Sequence, residues 1–100
     1  MVIKVIEVYQ NGRGHSANAN ENYSLRETFI NPEHVVCLRS DITFKQKLQE
    51  GLLPNGLDSR QEFTRVYMNR GHAGLDIVVV GEASTIEQMV SQNEKTLLKG

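Results

Sequence analysis

The sequence predicts an α+β domain: a mainly antiparallel sheet of about five strands, with one short intervening helix and a C-terminal helix packed on the sheet. Three observations predict it. Several segments rich in β-branched and aromatic residues are separated by turn residues. Residues 63–80 are largely apolar about a Gly-containing turn, which is typical of a hairpin. Apolar residues then recur at helical spacing after Gly81.

The first half of the chain is expected to contain three strands. Residues 2–9 are rich in β-branched side chains and predict the first strand. Residues 10–22 contain four Asn and two Gly and few apolar side chains, which predicts a flexible loop. Alternating residues predict a second strand over 23–30 and a third over 35–39, separated by a turn at Asn31-Pro32.

Helical spacing begins after Asp41. We expect Thr43 to cap a short helix over residues 43–50, in which Phe44 and Leu48 lie one turn apart. Gly51 suits the end of that helix. Residues 52–61 include Pro-Asn-Gly and predict a connector to the next strand.

The second half of the chain predicts a hairpin and a long helix. Strands over residues 63–69 and 75–80 flank the turn, and Ser84 with Glu87 forms a capping box before a helix over residues 85–98. That helix is expected to pack through Ile86, Met89 and Val90. The unbroken apolar run of residues 77–80, which precedes this helix, predicts a strand that is covered on both faces or lies at an oligomer interface. In the second case Ile77 and Val79 are the interface residues.

The composition limits the range of functions. One hundred residues suit a single domain spanning residues 1–100. A net charge of -1 disfavours non-specific nucleic-acid binding by a monomer. Cys37 is the only cysteine, which excludes an internal disulfide. The chain has neither a signal-peptide pattern nor a membrane-spanning apolar run, so we expect a cytoplasmic protein without membrane contact.

The chemical motifs of enzymes and metal sites are missing from the sequence. It has no G-x-S-x-G elbow, and its three histidines are not spaced as metal ligands. We therefore expect no catalytic residues, no metal and no cofactor.

Candidate recognition residues cluster around the hairpin. Arg65 and Tyr67 share one face of their strand, Arg60 precedes it, and Arg70 and His72 lie at the tip. Such residues suit a protein partner or nucleic acid, and a solvated sheet face is the alternative interpretation.

Four short motifs occur in the order of a known family: Ile3-Lys4-Val5, Asn11-Gly12, Ile30-Asn31-Pro32 and Val79-Val80-Gly81-Glu82-Ala83-Ser84. In these motifs the chain resembles the FlbD/SwrD-like flagellar proteins of bacteria, which lack a segment like residues 42–61. The short helix before a late hairpin is similar to RemA-like regulators, which form DNA-binding rings. Both resemblances imply a regulator rather than an enzyme.

Three functions follow as hypotheses. The first is a small non-enzymatic regulatory or adaptor protein that binds a protein partner and self-associates as a homo-oligomer. The second is a ring-type nucleic-acid binder, in which oligomerisation repeats the Arg/Tyr face. The third is a module that binds a small ligand between the sheet and a helix.

Overall fold

The structure is a computed structural model that describes residues 2–11, 22–70 and 73–99. Its elements are five strands and two helices, with a 3-10 turn at Pro32–His34. In chain order they are β1 (Ile3–Gln10), β2 (Tyr23–Ile30), β3 (Val35–Ser40), α1 (Ile42–Gln49), β4 (Phe63–Arg70), β5 (Ala73–Val80) and α2 (Ala83–Lys99).

The strands form one antiparallel sheet in the order β2-β1-β5-β4-β3. Strands that follow each other in the chain therefore lie side by side, except β2 and β3, which form the two edges. The turn Pro32–His34 connects these edges. The Asn31 side chain accepts a hydrogen bond from the Glu33 N–H at the start of the turn, as its Asn-Pro sequence favours.

A large apolar core lies between one face of the sheet and α2. Ile86 and Val90 of the helix are buried against Val66 and Val79, with Met89 partly buried beside them. Ile3, Val5, Ile30 and Ile77 complete this core. The helix thus packs through the three residues that its sequence pattern predicted.

A second apolar core lies on the opposite face of the sheet. Val78 and Phe63 are buried there with Leu53 of the connector, while Phe44 and Leu48 of α1 pack against them. Val78 and Val79 are adjacent in sequence but enter different cores. The prediction that this run is covered on both faces is confirmed, and the covering groups belong to the same chain.

The α+β class and the element order are confirmed, and β2 has the predicted bounds. Both predicted helix caps are wrong. Asp41, not Thr43, caps α1, because its carboxylate accepts the Phe44 N–H at 2.9 Å. Helix α2 begins at Ala83, so Ser84 lies inside its first turn, and Glu87 instead accepts a bond from Ser91. Residues 12–21 of the predicted loop lie outside the part of the chain that the structure describes.

Gly81 provides a test of this packing. Its φ of +133° is a conformation that L side chains rarely adopt, and an added Cβ would lie 3.2 Å from Ile86 Cδ1. We expect Gly81→Ala to lower the free energy of unfolding by about 2 kcal/mol, measured by chemical denaturation. Gly74→Ala is the control, because a Cβ there meets no atom within 4 Å. Equal stability of the two variants would contradict this account.

Candidate functional site

The predicted pair Arg65 and Tyr67 lies on one sheet face, as expected. In the β4–β5 register Arg65 is opposite Val78 and Tyr67 is opposite Asp76. Strand β3 adds Arg39 to the same face, with its guanidinium carbon 5.7 Å from the centre of the Tyr67 ring. The fold therefore brings Arg65 and Tyr67, which the nucleic-acid hypothesis requires, together with Arg39 on one face.

Carboxylates neutralise the central arginine of this face. Arg65 bonds Asp41 through Nε at 3.0 Å and bonds Asp76 through NH1. Burial opposes the charge of Arg65, but the bonds to Asp76 and Asp41 outweigh that effect and raise the pKa of the guanidinium. Asp41 itself is nearly buried, so this network joins α1 to the sheet. Arg65 is held by structural partners and is poorly available to a phosphate.

The other predicted recognition residues do not extend this surface. Arg60 is exposed in the connector and bonds Asp58 through Nε and NH2, which lowers the pKa of Asp58. Arg70 ends β4, and its side chain lies outside the described part of the structure, as does the whole of His72. No described contact therefore favours nucleic-acid binding over a solvated face.

Ile77 and Val79, the predicted interface residues, are buried in the core beneath α2. Their burial is supplied inside the single chain, so it does not require a second copy. An oligomer contact at these two side chains stays a prediction, but the apolar run no longer argues for it.

A groove of about 570 Å³ opens on the α2 side of the sheet, and we call it the Glu7 groove. It is bounded by β1, β2, the 3-10 turn, the C-terminal end of β4 and the N-terminal half of β5. Its lining residues are Val2, Glu7, Arg26, Thr28, Phe29, Ile30, Asn31, His34, Met68, Leu75, Asp76 and Ile77. A volume of this size and a mainly apolar wall are typical of small-molecule sites.

A buried charge lies in this groove. The Glu7 side chain is only 9% exposed, and its Oε1 accepts bonds from Arg26 Nε at 3.1 Å and from Thr28 Oγ1 at 2.8 Å. Its Oε2 accepts a bond from Arg26 NH2 at 3.3 Å. These bonds raise the pKa of Arg26. The guanidinium carbon also lies 4.2 Å from the centre of the Tyr9 ring, a cation–π distance.

Glu7 and Arg26 are not among the recognition residues that the sequence predicts. One signal was present: Glu7 continues the alternation of Ile3 and Val5, so a strand over these residues places a carboxylate on the apolar face. Its partner could not be found in this way, because Arg26 lies on the next strand and meets Glu7 only in the observed register.

No family model, curated protein or solved structure matches the chain. Among the described residues, no group of three or more His, Cys, Asp and Glu side chains is placed to hold a metal ion. Neither helix, over its described residues, combines the length and apolarity needed to cross a membrane.

The Asp41 network yields a test of its structural role. We expect Asp41→Ala to lower the free energy of unfolding by about 2 kcal/mol, because it removes a helix cap and a buried partner of Arg65. Denaturant titration followed by circular dichroism measures the loss. Asp58→Ala is the matched control: it also removes a carboxylate bound to an arginine, but at the surface, where we expect no measurable change. If both variants were as stable as the wild type, the Asp41 network would have no structural role.

Proposed function

We propose that this chain is a small non-enzymatic regulatory or adaptor protein that acts through protein–protein contacts and self-associates through the edge strand β2. The observation that carries the proposal is the regular edge of that strand, with which no strand of the described residues pairs. We place the protein in the cytoplasm, where its single cysteine suits a reducing environment.

The two edges of the sheet differ in a way that favours β2. Strand β3 has six residues and a register shift between Val35 and Cys37. Bulges and short strands both oppose pairing at an edge. Strand β2 has eight residues in unbroken register with β1. No strand in the described part of the chain pairs with its outer side.

The main-chain groups on the outer side of β2 can be assigned. The Asn11 N–H donates to the Asn22 C=O at 2.7 Å, in continuation of the β1–β2 register. Successive residues of an antiparallel strand point their main-chain groups alternately toward and away from the neighbour. Even-numbered residues of β2 therefore face β1. The outward N–H and C=O groups belong to Tyr23, Leu25, Glu27 and Phe29.

A second copy of the chain is the partner that suits this edge. Two β2 strands related by a twofold axis run antiparallel and supply each other with the same outward donors and acceptors. Phe29, which is 61% exposed, and Leu25 then add apolar contacts on one face of the continuous sheet. Phe29 gains burial that the monomer does not give it.

A proline at position 27 tests the pairing. Glu27→Pro removes an outward N–H but no bond to β1, and proline is tolerated on an edge strand in that situation. We expect the wild type to show a dimer mass by sedimentation velocity at micromolar concentration, and Glu27→Pro to be a folded monomer. A folded state of the variant is checked by circular dichroism.

Glu27→Ala is the matched control. It removes the same exposed ion pair with Lys4 but keeps the outward N–H, so it should remain a dimer. A monomeric wild type, or a Glu27→Pro variant that dimerises as the wild type does, would refute association through β2. A heavier assembly that loses mass in Glu27→Pro but not in Glu27→Ala would keep β2 as the interface.

A further inference from the structure

Arg26 has a free hydrogen-bonding edge. A guanidinium carries five N–H groups in a planar fork. Glu7 accepts one from Nε and one from NH2, which leaves both N–H groups of NH1 and one of NH2 without an acceptor among the described residues. The side chain is 55% exposed. The NH1–NH2 edge is therefore open to a planar anion such as a carboxylate.

The guanidinium is held in place before any ligand arrives. Glu7 fixes one edge of the fork, and Thr28 restrains Glu7 by donating to Oε1, the oxygen that also accepts from Arg26 Nε. The Tyr9 ring covers one face of the guanidinium at 4.2 Å. A group restrained on an edge and on a face loses little conformational entropy when it binds a ligand.

The rest of the groove is suited to an apolar body. Ile30, Met68 and Ile77 line it, and Leu75 and Val2 stand at its surface, 52% and 57% exposed. They are two of the five large apolar side chains exposed among the described residues, and both line this groove. Exposed apolar side chains gathered at one groove mark a binding surface.

The charges of the groove favour an anionic over a cationic end group. Glu7 is already neutralised by Arg26, and the Asp76 side chain points to the opposite face of the sheet, where it binds Arg65. The Glu7 carboxylate is buried behind Arg26, so an approaching ligand meets the guanidinium first. A cation would meet that positive charge, whereas a carboxylate would meet its free donors.

We infer that the Glu7 groove binds an apolar molecule that ends in a carboxylate, with the carboxylate on the NH1–NH2 edge of Arg26 and the apolar body against Ile30, Met68 and Ile77. This site uses side chains on one face of β2, and it does not depend on self-association through the main chain of that strand.

An NMR titration with octanoate tests the site. We expect octanoate to shift the amide signals of Glu7, Thr28 and Ile77, and to bind about tenfold more tightly than octanol, which lacks the charge. Octylamine should bind more weakly than either. N-acetyl-trileucine and its C-terminal amide give a second pair of probes. Tighter binding of the peptide than of octanoate would identify a peptide C-terminus as the natural carboxylate, and the reverse would identify a free acyl chain.

Two variants separate the arginine fork from charge alone. Arg26→Lys keeps a positive charge beside Glu7 but loses the free edge, so octanoate affinity should fall about tenfold while octanol affinity is unchanged. Arg60→Lys is the matched control, because Arg60 also holds a carboxylate through Nε and NH2 but lies away from the groove.

The inference is overturned if neither carboxylate shifts these amides at millimolar concentration, if octanol binds as tightly as octanoate, or if Arg26→Lys binds octanoate as the wild type does.

Discussion

Strand β5 lies in the middle of the sheet and buries apolar side chains on both of its faces, and the rest of the structure depends on this two-sided burial. Val79 packs under α2, while the adjacent Val78 packs toward α1 and the connector. A helix on one face and a helix with a connector on the other are needed to keep both sets of side chains from water. The core under α2 and the core under α1 are thereby joined through a single strand. A one-residue slip of this strand would exchange the two cores.

Polar side chains inside this apolar frame are placed where they join separate elements. Thr64, fully buried, donates to the Gly81 C=O and ties β4 to the entry of α2. Asp41 caps α1 and holds Arg65 on β4, and Glu7 on β1 holds Arg26 and Thr28 on β2. No buried side-chain nitrogen or oxygen in the described residues lacks a hydrogen-bond partner. Such bonds fix strand register, because a shifted strand would leave a buried charge unpaired.

Strand β2 concentrates the features that this frame leaves unused. No strand among the described residues pairs with its outer edge, its residue Phe29 is exposed, and its residue Arg26 lines the Glu7 groove with an NH1–NH2 edge that no described acceptor binds. The arginine face on β4 is different in kind, since its central residue is consumed by two carboxylates. The contrast explains why a cluster of basic and aromatic residues in a sequence is weak evidence for a binding surface. An arginine is available to a ligand only where the fold leaves some of its N–H donors without an acceptor.

The sequence by itself determined the elements and their faces. The alternation of residues 23–30 predicted β2 with its observed bounds, and the spacing of Ile86, Met89 and Val90 predicted the buried side of α2. These patterns are local, and a period of two or of 3.6 residues can be read from neighbouring positions. The local pattern did not determine where α1 starts, because Asp41 and Thr43 are both good caps and the choice depends on where the strand before them ends.

The partners of charged residues were decided only by the tertiary structure. Arg65 meets Asp41 across 24 positions of sequence, and Arg26 meets Glu7 across 19. Both contacts follow from strand order and register, which depend on the burial of the whole apolar set rather than on any local pattern. For the same reason the run at Ile77 suggested an interface in the sequence but proved to be core: only the fold shows that α2 and the connector of the same chain already cover it.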